Sequence, residues 1–329
     1  MDKNSEPNVA VVITNYNGLS IKYKGKSILW HTITSLLKTN YDNYHVVFAD
    51  DSSSDGSADY IRTAYPGITV IVNSPNGGYT KNANNGIKHA LKKFKPDYIL
   101  TLNNDVILKD RDWLQKLVDA AEDDKLCGIA GPKLLYPDGR LQQAGITSIG
   151  ALIRNRGWNT RDAKIHNKTE KVSAVGGVAQ LIRRSVISKI GLLDENFFMG
   201  SDDVEYCIRA SKAGFKILYV GASEVTHLEG FTSKKVSGSK GPDYWFPIFQ
   251  TNNMYLAFKH FSRIQVLESI FITLASSVVG IGNRKLSITG LRLKNRVFWR
   301  LKVSTASISK GYRLCKGSIT REEAYGLSK

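Results

Sequence analysis

The stretch that decides the fold is Tyr98-Ile99-Leu100-Thr101-Leu102-Asn103-Asn104-Asp105. Its apolar first part has the length of one buried β-strand, and its end brings two amides and a carboxylate to the carboxyl terminus of that strand. In open α/β sheets, ligands bind at this edge, and hard divalent cations favour oxygen ligands. A strand followed by an ordinary Asx turn is the commoner explanation of so short a motif. The rest of the chain decides between such a turn and a cation-binding site.

Apolar segments alternate with helical patterns throughout the first third of the chain. Three segments rich in β-branched residues, at positions 9–14, 44–49 and 68–72, precede the stretch at 98–105. Each is followed by turn residues and then by a helical spacing of apolar residues. This alternation predicts a doubly wound, mostly parallel sheet with helices on both faces.

Polar residues follow the second and third predicted strands. Asp50 and Asp51 can accept hydrogen bonds from a nucleotide base or ribose, while Ser54 or Asp55 caps the next helix. The glycine-rich turn around Gly78 opens a helix, where backbone N–H groups can approach an anion. Lys81 could meet a phosphate there, although a solvated lysine at a helix start explains it as well.

The pattern changes after residue 126. We expect a surface loop over residues 150–171 and a strand over 172–182 that contains the pair Gly176-Gly177. Asp202 and Asp203 begin a predicted helix, where the helix dipole alone favours carboxylates; the functional alternative is a general base. His227 follows a predicted strand at 215–220, and with Asp105 it is a candidate metal ligand.

Eight short motifs in this order resemble those of the family 2 inverting glycosyltransferases with the GT-A fold. The resemblance runs from about residue 9 to residue 230, or two thirds of the chain. The motifs are Thr14-Asn15-Tyr16-Asn17-Gly18, Asp50-Asp51-Ser52-Ser53-Ser54-Asp55-Gly56-Ser57, Asn76-Gly77-Gly78-Tyr79, Asn103-Asn104-Asp105, Gly131-Pro132-Lys133-Leu134 with Asp138-Gly139, Gly176-Gly177, Phe197-Phe198 with Asp202-Asp203, and His227. Residues 131–145 look most like the rhamnosyltransferase-like branch.

The resemblance implies a role for each matching position. Asp105 and His227 would hold Mg²⁺ or Mn²⁺, although Asn103 replaces the first acid of the family's metal motif. Asp203 would be the catalytic base; Asp202 stands where the family more often has Glu, and it could be the base or hold an acceptor hydroxyl. The residues implied for the nucleotide-sugar donor are Thr14, Asn15, Tyr16, Asp50, Asp51, Gly78, Lys81, Asn84 and Asn104.

The resemblance also implies an activity. A sugar would move from dTDP-rhamnose or a UDP-sugar to a hydroxyl of a glycan or polyprenyl-linked saccharide, with inversion, during synthesis of a cell-surface polysaccharide or glycoconjugate. One alternative is a nucleotidyltransferase of nucleotide-sugar metabolism, which lacks support because its glycine- and arginine-rich N-terminal loop is missing. The other is a nucleic-acid-binding protein, suggested by the net charge of +17. It leaves the carboxylates at successive strand ends unexplained, so we expect no nucleic-acid partner.

The distribution of charged and apolar residues along the sequence predicts two regions of the chain. We expect a catalytic domain over residues 1–262, with a nucleotide-binding half (1–125) and an acceptor half (126–262), and a basic helical extension over 263–329. Residues 283–329 contain 12 Lys and Arg and two Glu, which suits an anionic membrane surface; a solvated tail is the alternative.

Three widely spaced cysteines and a polar N-terminus without signal-peptide features predict a cytoplasmic protein, peripheral on the inner face of the cell membrane. The oligomeric state is left open.

Overall fold

A computed structural model describes residues 6–229, 245–279 and 290–326 of the chain. The chain divides into two compact units. The first unit comprises residues 1–149, 154–194 and 202–236, and the second comprises residues 150–153, 195–201 and 237–329. Residues 246–260 group with the C-terminal helices in this division. The domain boundary at residue 262 stays a prediction.

The first unit is a sheet flanked by helices, as the sequence predicted. Its strands are β1 (Val9–Asn15), β2 (Lys22–Tyr23), β3 (Lys26–Ser27), β4 (Tyr44–Asp50), β5 (Thr69–Val72), β6 (Tyr98–Asn103), β7 (Val106–Ile107), β8 (Cys127–Leu135), β9 (Arg140–Gln143), β10 (Ile146–Ser148), β11 (Arg154–Asn155), β12 (Thr160–Arg161), β13 (Thr169–Lys171), β14 (Ala179–Arg183) and β15 (Lys216–His227). Its helices are α1 (Ile28–Leu36), α2 (Ser57–Ala64), α3 (Gly78–Phe94), α4 (Trp113–Asp123), α5 (Arg184–Ile190) and α6 (Asp202–Lys212), with a 3₁₀ turn at Lys164–Asn167.

The central sheet has the order β12-β9-β8-β14-β6-β1-β4-β5. Strands β6, β1, β4 and β5 are parallel to one another. Strand β14 runs antiparallel between β6 and β8, and β15 pairs in parallel with β8. The parallel half is the alternating strand–helix region of the sequence, so the predicted α/β fold is confirmed.

Strand β1 and most of β4 and β6 are buried on both faces, which explains their continuous apolar sequence, whereas β5 at the edge of the sheet is only partly buried. Every residue of β1, including its last residue Asn15, is buried. Helix α1 begins at a Ser27 cap, whose hydroxyl accepts from the Trp30 backbone N–H at 3.0 Å, and it packs Leu29 and Ile33 into the same core. Burial on both faces leaves the strand ends as the place for polar chemistry.

Three local expectations need correction. Gly176 and Gly177 precede β14 instead of lying inside it, because their N–H groups donate to side chains, Gln143 Oε1 and Asp203 Oδ2, and not to a strand. His227 is the last residue of β15, which continues past residue 220 because its end pairs with β7. The expected loop at 150–171 contains the short strands β11, β12 and β13 and the 3₁₀ turn.

The second unit is helical. Its helices are α7 (Phe246–His260), α8 (Arg263–Val279), α9 (Gly290–Cys315) and α10 (Arg321–Tyr325). Within it, Tyr255 Oη accepts from Asn196 Nδ2 at 3.1 Å, and Asn252 Nδ2 donates to the carbonyls of Met199 and Gly200, both at 2.8 Å. Residues 280–289 and 327–329 of the predicted basic extension lie outside the described part of the chain. Among the helices that the structure describes, none combines the length and the apolar character needed to cross a bilayer.

Candidate active site

Three parallel strands of the first unit end side by side, and Asn15 ties their ends together. Asn15 lies opposite Asp50 in the β1–β4 pair, while Thr14 lies opposite Asn103 in the β1–β6 pair. The Asn15 amide Nδ2 donates to Asp50 Oδ1 at 2.8 Å, and its Oδ1 accepts from Asn104 Nδ2 at 2.5 Å. Three of the side chains predicted to meet the donor, those of Asn15, Asp50 and Asn104, therefore form one hydrogen-bonded group at the carboxyl edge of the sheet.

The two carboxylates that follow β4 are both engaged within the protein. Asp50 accepts from Asn15 and from the hydroxyl and backbone N–H of Ser53, at 2.6 and 2.9 Å. Asp51 accepts from the backbone N–H groups of Gly77 and Gly78, at 2.9 and 2.8 Å. These bonds fix the turns around the candidate nucleotide site. Contact of either carboxylate with a donor stays a prediction.

The remaining donor candidates differ in exposure. Thr14 is buried, Tyr16 is half-buried, and Lys81 is exposed at the first turn of α3. Gly78 has a φ of +77°, a conformation that favours glycine at this turn. Asn84 is buried, and its amide exchanges two hydrogen bonds with the backbone of Leu193, at 2.9 and 3.1 Å. Asn84 thus holds a neighbouring segment in place, whereas Lys81 is accessible to a phosphate.

Asp105 and His227 meet at the same edge of the sheet. Asp105 Oδ1 and His227 Nε2 are 3.1 Å apart, and both side chains are about nine-tenths buried. The other ring nitrogen, Nδ1, is 3.1 Å from Gln142 Oε1. Burial alone would lower the pKa of His227, but the neighbouring Asp105 carboxylate raises it above its ordinary value.

The donor atoms of this pair fit a divalent cation. Because Gln142 Oε1 only accepts, Nδ1 carries the proton, and the lone pair of neutral His227 at Nε2 then faces the Asp105 carboxylate. Two acceptors at that distance need a proton or a cation between them. Adjacent ligands of an octahedral ion, each about 2.1 Å from it, lie about 3.0 Å apart. The described residues contain no group of three or more His, Cys, Asp or Glu side chains suited to a metal.

Asp203 is the second chemical group of the site. Its Oδ2 accepts from the Gly177 backbone N–H at 2.7 Å, and its Oδ1 accepts from the Val204 N–H at 2.8 Å. Burial raises the pKa of the Asp203 carboxyl although both backbone donors act to lower it. Asp202 is buried at the start of α6. Asp203 is therefore a fixed carboxylate of increased basicity, which suits a general base.

Backbone hydrogen bonds connect Asp203 to the end of β6. Gly177 holds the Asp203 carboxylate, and the next residue, Val178, accepts from the Asn103 N–H at 2.9 Å. Asn103 is two residues before Asp105. The candidate base and the candidate cation ligands therefore adjoin the same strand end.

A side chain at Gly177 should displace the base. A Cβ at this position would lie 3.1 Å from Asp203 Cβ and 3.5 Å from its Oδ2. We expect Gly177→Ala to lower kcat about tenfold, because small misplacements of reacting groups cost rate steeply. Gly67→Ala is the matched control, since nothing lies within 4 Å of its added Cβ. Steady-state kinetics of both variants test this, and an unchanged kcat for Gly177→Ala would contradict the positioning.

The sequence did not single out two groups of this site. Gln142, which orients His227, was noted only within the block at 131–145, and the Gly177 N–H that holds Asp203 was expected inside a strand. The spacing of the glycine pair before an apolar strand was a usable signal for a close contact, but nothing local indicated the partner. Both contacts depend on which strands become neighbours.

Helix α6, which carries Asp203, is fixed by a buried ion pair. Glu205 is fully buried, and both of its oxygens accept from Arg209 Nε, at 3.0 and 2.9 Å. The other guanidinium nitrogens donate to the carbonyls of Ile190 and Leu192, at 2.7 and 2.8 Å. Arg209 thus joins the base-bearing helix to the segment before it.

Comparison with known proteins places this geometry in a family. The model described as "Glycosyl transferase family 2" matches residues 10–191. The N-acetylglucosaminyl-diphospho-decaprenol L-rhamnosyltransferase of Mycobacterium tuberculosis is 28% identical over 206 residues, which cover 55% of this chain and 66% of that protein. Rhamnosyltransferase WbbL of Escherichia coli is 26% identical over 196 residues, covering 56% of this chain and 74% of that protein. The chain spans just under two thirds of the length of the M. tuberculosis relative.

Two solved structures share the fold. GalNAc-T7, solved with UDP, GalNAc and Mn²⁺, superimposes with a TM-score of 0.60 at 16% identity, covering 96% of this chain and 58% of that one. The mannosyltransferase PcManGT from Pyrobaculum calidifontis, solved with GDP-Man and Mn²⁺, superimposes with a TM-score of 0.51 at 14% identity, covering 98% of this chain and 79% of that one. At these identities the likeness concerns the fold alone.

Proposed function

Because the chain belongs to glycosyl transferase family 2, by a match that spans residues 10–191, we propose that it is an inverting glycosyltransferase of the rhamnosyltransferase-like branch. It moves a sugar from a nucleoside-diphosphate donor, dTDP-rhamnose or a UDP-sugar, to a hydroxyl of a lipid-linked saccharide. The relatives from M. tuberculosis and E. coli are both described as rhamnosyltransferases, which supports transfer of a rhamnosyl group, and the name of the M. tuberculosis protein supports a lipid-linked acceptor. The family match favours glycosyl transfer over nucleotidyl transfer and over nucleic-acid binding.

The observation that carries the proposal is the Asp203 carboxylate, held by two backbone N–H groups beside the strand end that bears Asp105. The oxygen of the acceptor hydroxyl attacks the anomeric carbon of the donor sugar, and Asp203 accepts the proton of that hydroxyl. The bond between the anomeric carbon and the diphosphate breaks on the opposite face. A single displacement of this kind inverts the configuration. The Gly177 and Val204 N–H groups keep both carboxylate oxygens in place during the transfer. Asp202 is the alternative base or a partner for an acceptor hydroxyl.

Asp105 and His227 would hold a divalent cation, Mg²⁺ or Mn²⁺. Such an ion, when bound, offsets the charge that develops on the leaving diphosphate. Gln142 accepts from His227 Nδ1 and so keeps Nε2 directed towards Asp105. Lys81, exposed at the start of α3, is placed to meet a phosphate. The Mn²⁺ in both solved neighbours supports this cation requirement.

A lipid-linked acceptor implies a membrane surface as a partner of the enzyme. A polyprenyl-linked saccharide lies in a bilayer, so the enzyme works at the inner face of the cell membrane, peripheral to it and on the cytoplasmic side. The basic C-terminal segment supports this location, because each Lys or Arg near an anionic surface adds about 1 kcal/mol of attraction.

Nucleoside diphosphates should stabilise the protein in a cation-dependent way. We expect UDP, dTDP or GDP to raise the melting temperature when Mn²⁺ is present and to raise it little without Mn²⁺, because ligands that bind only the native state stabilise it by mass action. The base that gives the largest shift identifies the donor class, with dTDP indicating a rhamnosyl donor. No shift with any nucleotide would contradict the proposed function.

Removal of the Asp105 carboxylate should abolish the Mn²⁺ dependence of that shift. In Asp105→Ala we expect nucleotide binding with and without Mn²⁺ to become equal, since His227 alone is a weak ligand set for a hard cation. Asp112→Ala, which removes an exposed carboxylate at the start of α4, is the matched control and should behave as wild type. Retained Mn²⁺ dependence in Asp105→Ala would exclude this residue as a ligand.

A further inference from the structure

Helix α8 of the second unit exposes three large apolar side chains and buries two hydroxyl side chains. Its exposed residues include Ile264, Leu267 and Phe271, which are 71%, 66% and 72% exposed, whereas Ser269 and Thr273 are 7% and 5% exposed. At about 100° per residue, the three apolar side chains fall within an arc of about 60°, and the two hydroxyl residues lie nearly opposite. The face that α8 turns outward therefore carries three large apolar side chains, flanked by the exposed Arg263 and Glu268.

The buried hydroxyl groups of α8 have partners, so burying this side of the helix leaves neither hydroxyl without a contact. Ser269 Oγ donates to the Gln265 carbonyl at 2.7 Å, and Thr273 Oγ1 is 3.5 Å from the sulfur of Met254 on α7. The inward side is therefore satisfied by polar and sulfur contacts. What lacks a partner among the described residues is the outward apolar surface, which is costly to leave in water.

Helix α9 shows the same arrangement next to it. Its buried positions include Ser304, Ser307 and Gly311, and a Cβ on Gly311 would lie 2.7 Å from Met254 Cβ. Small residues inside and large residues outside are typical of helices that pack in a lipid environment. The exposed side of α9 carries aromatic and basic residues, namely Phe298, Trp299, Lys302, Tyr312 and Arg313, and the exposed Lys316 follows directly after the helix.

We propose that the second unit docks on an anionic lipid bilayer through the outward face of α8, with the aromatic and basic residues of α9 at the headgroup level. Charge favours an anionic bilayer over a second copy of the chain as the partner of this surface. Residues 283–329 contain 12 Lys and Arg against two Glu, so two such surfaces would repel each other, whereas an anionic surface attracts both. Aromatic rings beside basic side chains match the interfacial zone of a bilayer. The purpose of this docking rests on the proposed function, because the acceptor is lipid-linked.

Vesicle flotation tests the docking with the full chain. Wild type should float with phosphatidylcholine vesicles that contain phosphatidylglycerol, and flotation should weaken as salt is raised. The triple variant Ile264→Ser, Leu267→Ser, Phe271→Ser should lose binding at least about tenfold, since it removes the inserted apolar area. The matched control exchanges three exposed apolar residues of the first unit, Leu37→Ser, Val72→Ser and Leu126→Ser, and should float as wild type does.

Charge and oligomer controls complete the experiment. Neutralising Lys302, Arg313 and Lys316 to Gln should weaken binding by about fivefold per residue. Absence of flotation at low salt, or normal flotation of the α8 variant, would overturn the inference. So would a wild-type dimer in solution that the α8 variant converts to a monomer, because the face would then bind a second copy. Nucleotide thermal shifts measured without vesicles report on the proposed function separately, so either claim can fail while the other stands.

Discussion

Asp203→Asn is expected to lower kcat by about 10²–10⁴-fold while the affinity for nucleoside diphosphate and Mn²⁺ stays unchanged. The amide is isosteric, but it cannot take the proton of the acceptor hydroxyl, and a positioned general base contributes a factor of this size. The loss should appear in kcat because the carboxylate acts on the reacting hydroxyl and not on the donor. Steady-state transfer assays, paired with nucleotide thermal shifts, measure both parts.

Asp202→Asn is the matched control, one residue away at the start of the same helix. If Asp203 is the base, Asp202→Asn should affect KM for the acceptor more than kcat. A near-normal kcat in Asp203→Asn with a collapsed kcat in Asp202→Asn would move the base to Asp202.

The pH profile gives a second readout of the same assignment. Burial raises the pKa of Asp203, and the base must be ionised to work. Activity should therefore fall as pH is lowered through that raised pKa, at a pH above the value of about 3.9 for an ordinary aspartate. The residual activity of Asp203→Asn should lack this acid limb. An identical acid limb in the variant would assign the titration to another group.

The strands and their polar ends could be predicted because the information is local. An apolar β-branched run that ends in Asn or Asp predicts both a buried strand and the edge where its polar residues lie, as β1, β4 and β6 show. Each of those ends is decided within about ten residues of sequence. The fold class follows from this alternation, and so does the edge of the sheet at which Asn15, Asp50 and Asn104 lie.

The contacts that orient the candidate base and the candidate cation ligands join residues far apart in the sequence. Gly177 and Asp203 are 26 residues apart, His227 and Gln142 are 85 apart, and His227 and Asp105 are 122 apart. They meet because β14 inserts antiparallel beside β6 and because the end of β15 turns onto β7. A residue pattern predicts that a strand exists, but the order of strands in the sheet is a property of the whole packed chain.

Arg209→Met is expected to destabilise the first unit by about 3–5 kcal/mol. The substitution keeps the length of the side chain but removes the guanidinium from the carboxylate of Glu205, which is fully buried, and removing one partner of a buried ion pair costs this much. It also removes the donors to the carbonyls of Ile190 and Leu192. Urea unfolding should show a lower midpoint with an unchanged slope.

An exposed pair of the same type provides the comparison. Arg62 and Asp59 lie 2.7 Å apart with side chains 50% and 84% exposed, and Arg62→Met should change stability by less than about 1 kcal/mol. The double variant Glu205→Leu, Arg209→Met should recover part of the loss, because it buries no unpaired charge, although the two backbone carbonyls still lack their donors. If Arg209→Met were no worse than Arg62→Met, the ion pair would not hold the base-bearing helix. The position of Asp203 would then depend on Gly177 and Val204 alone.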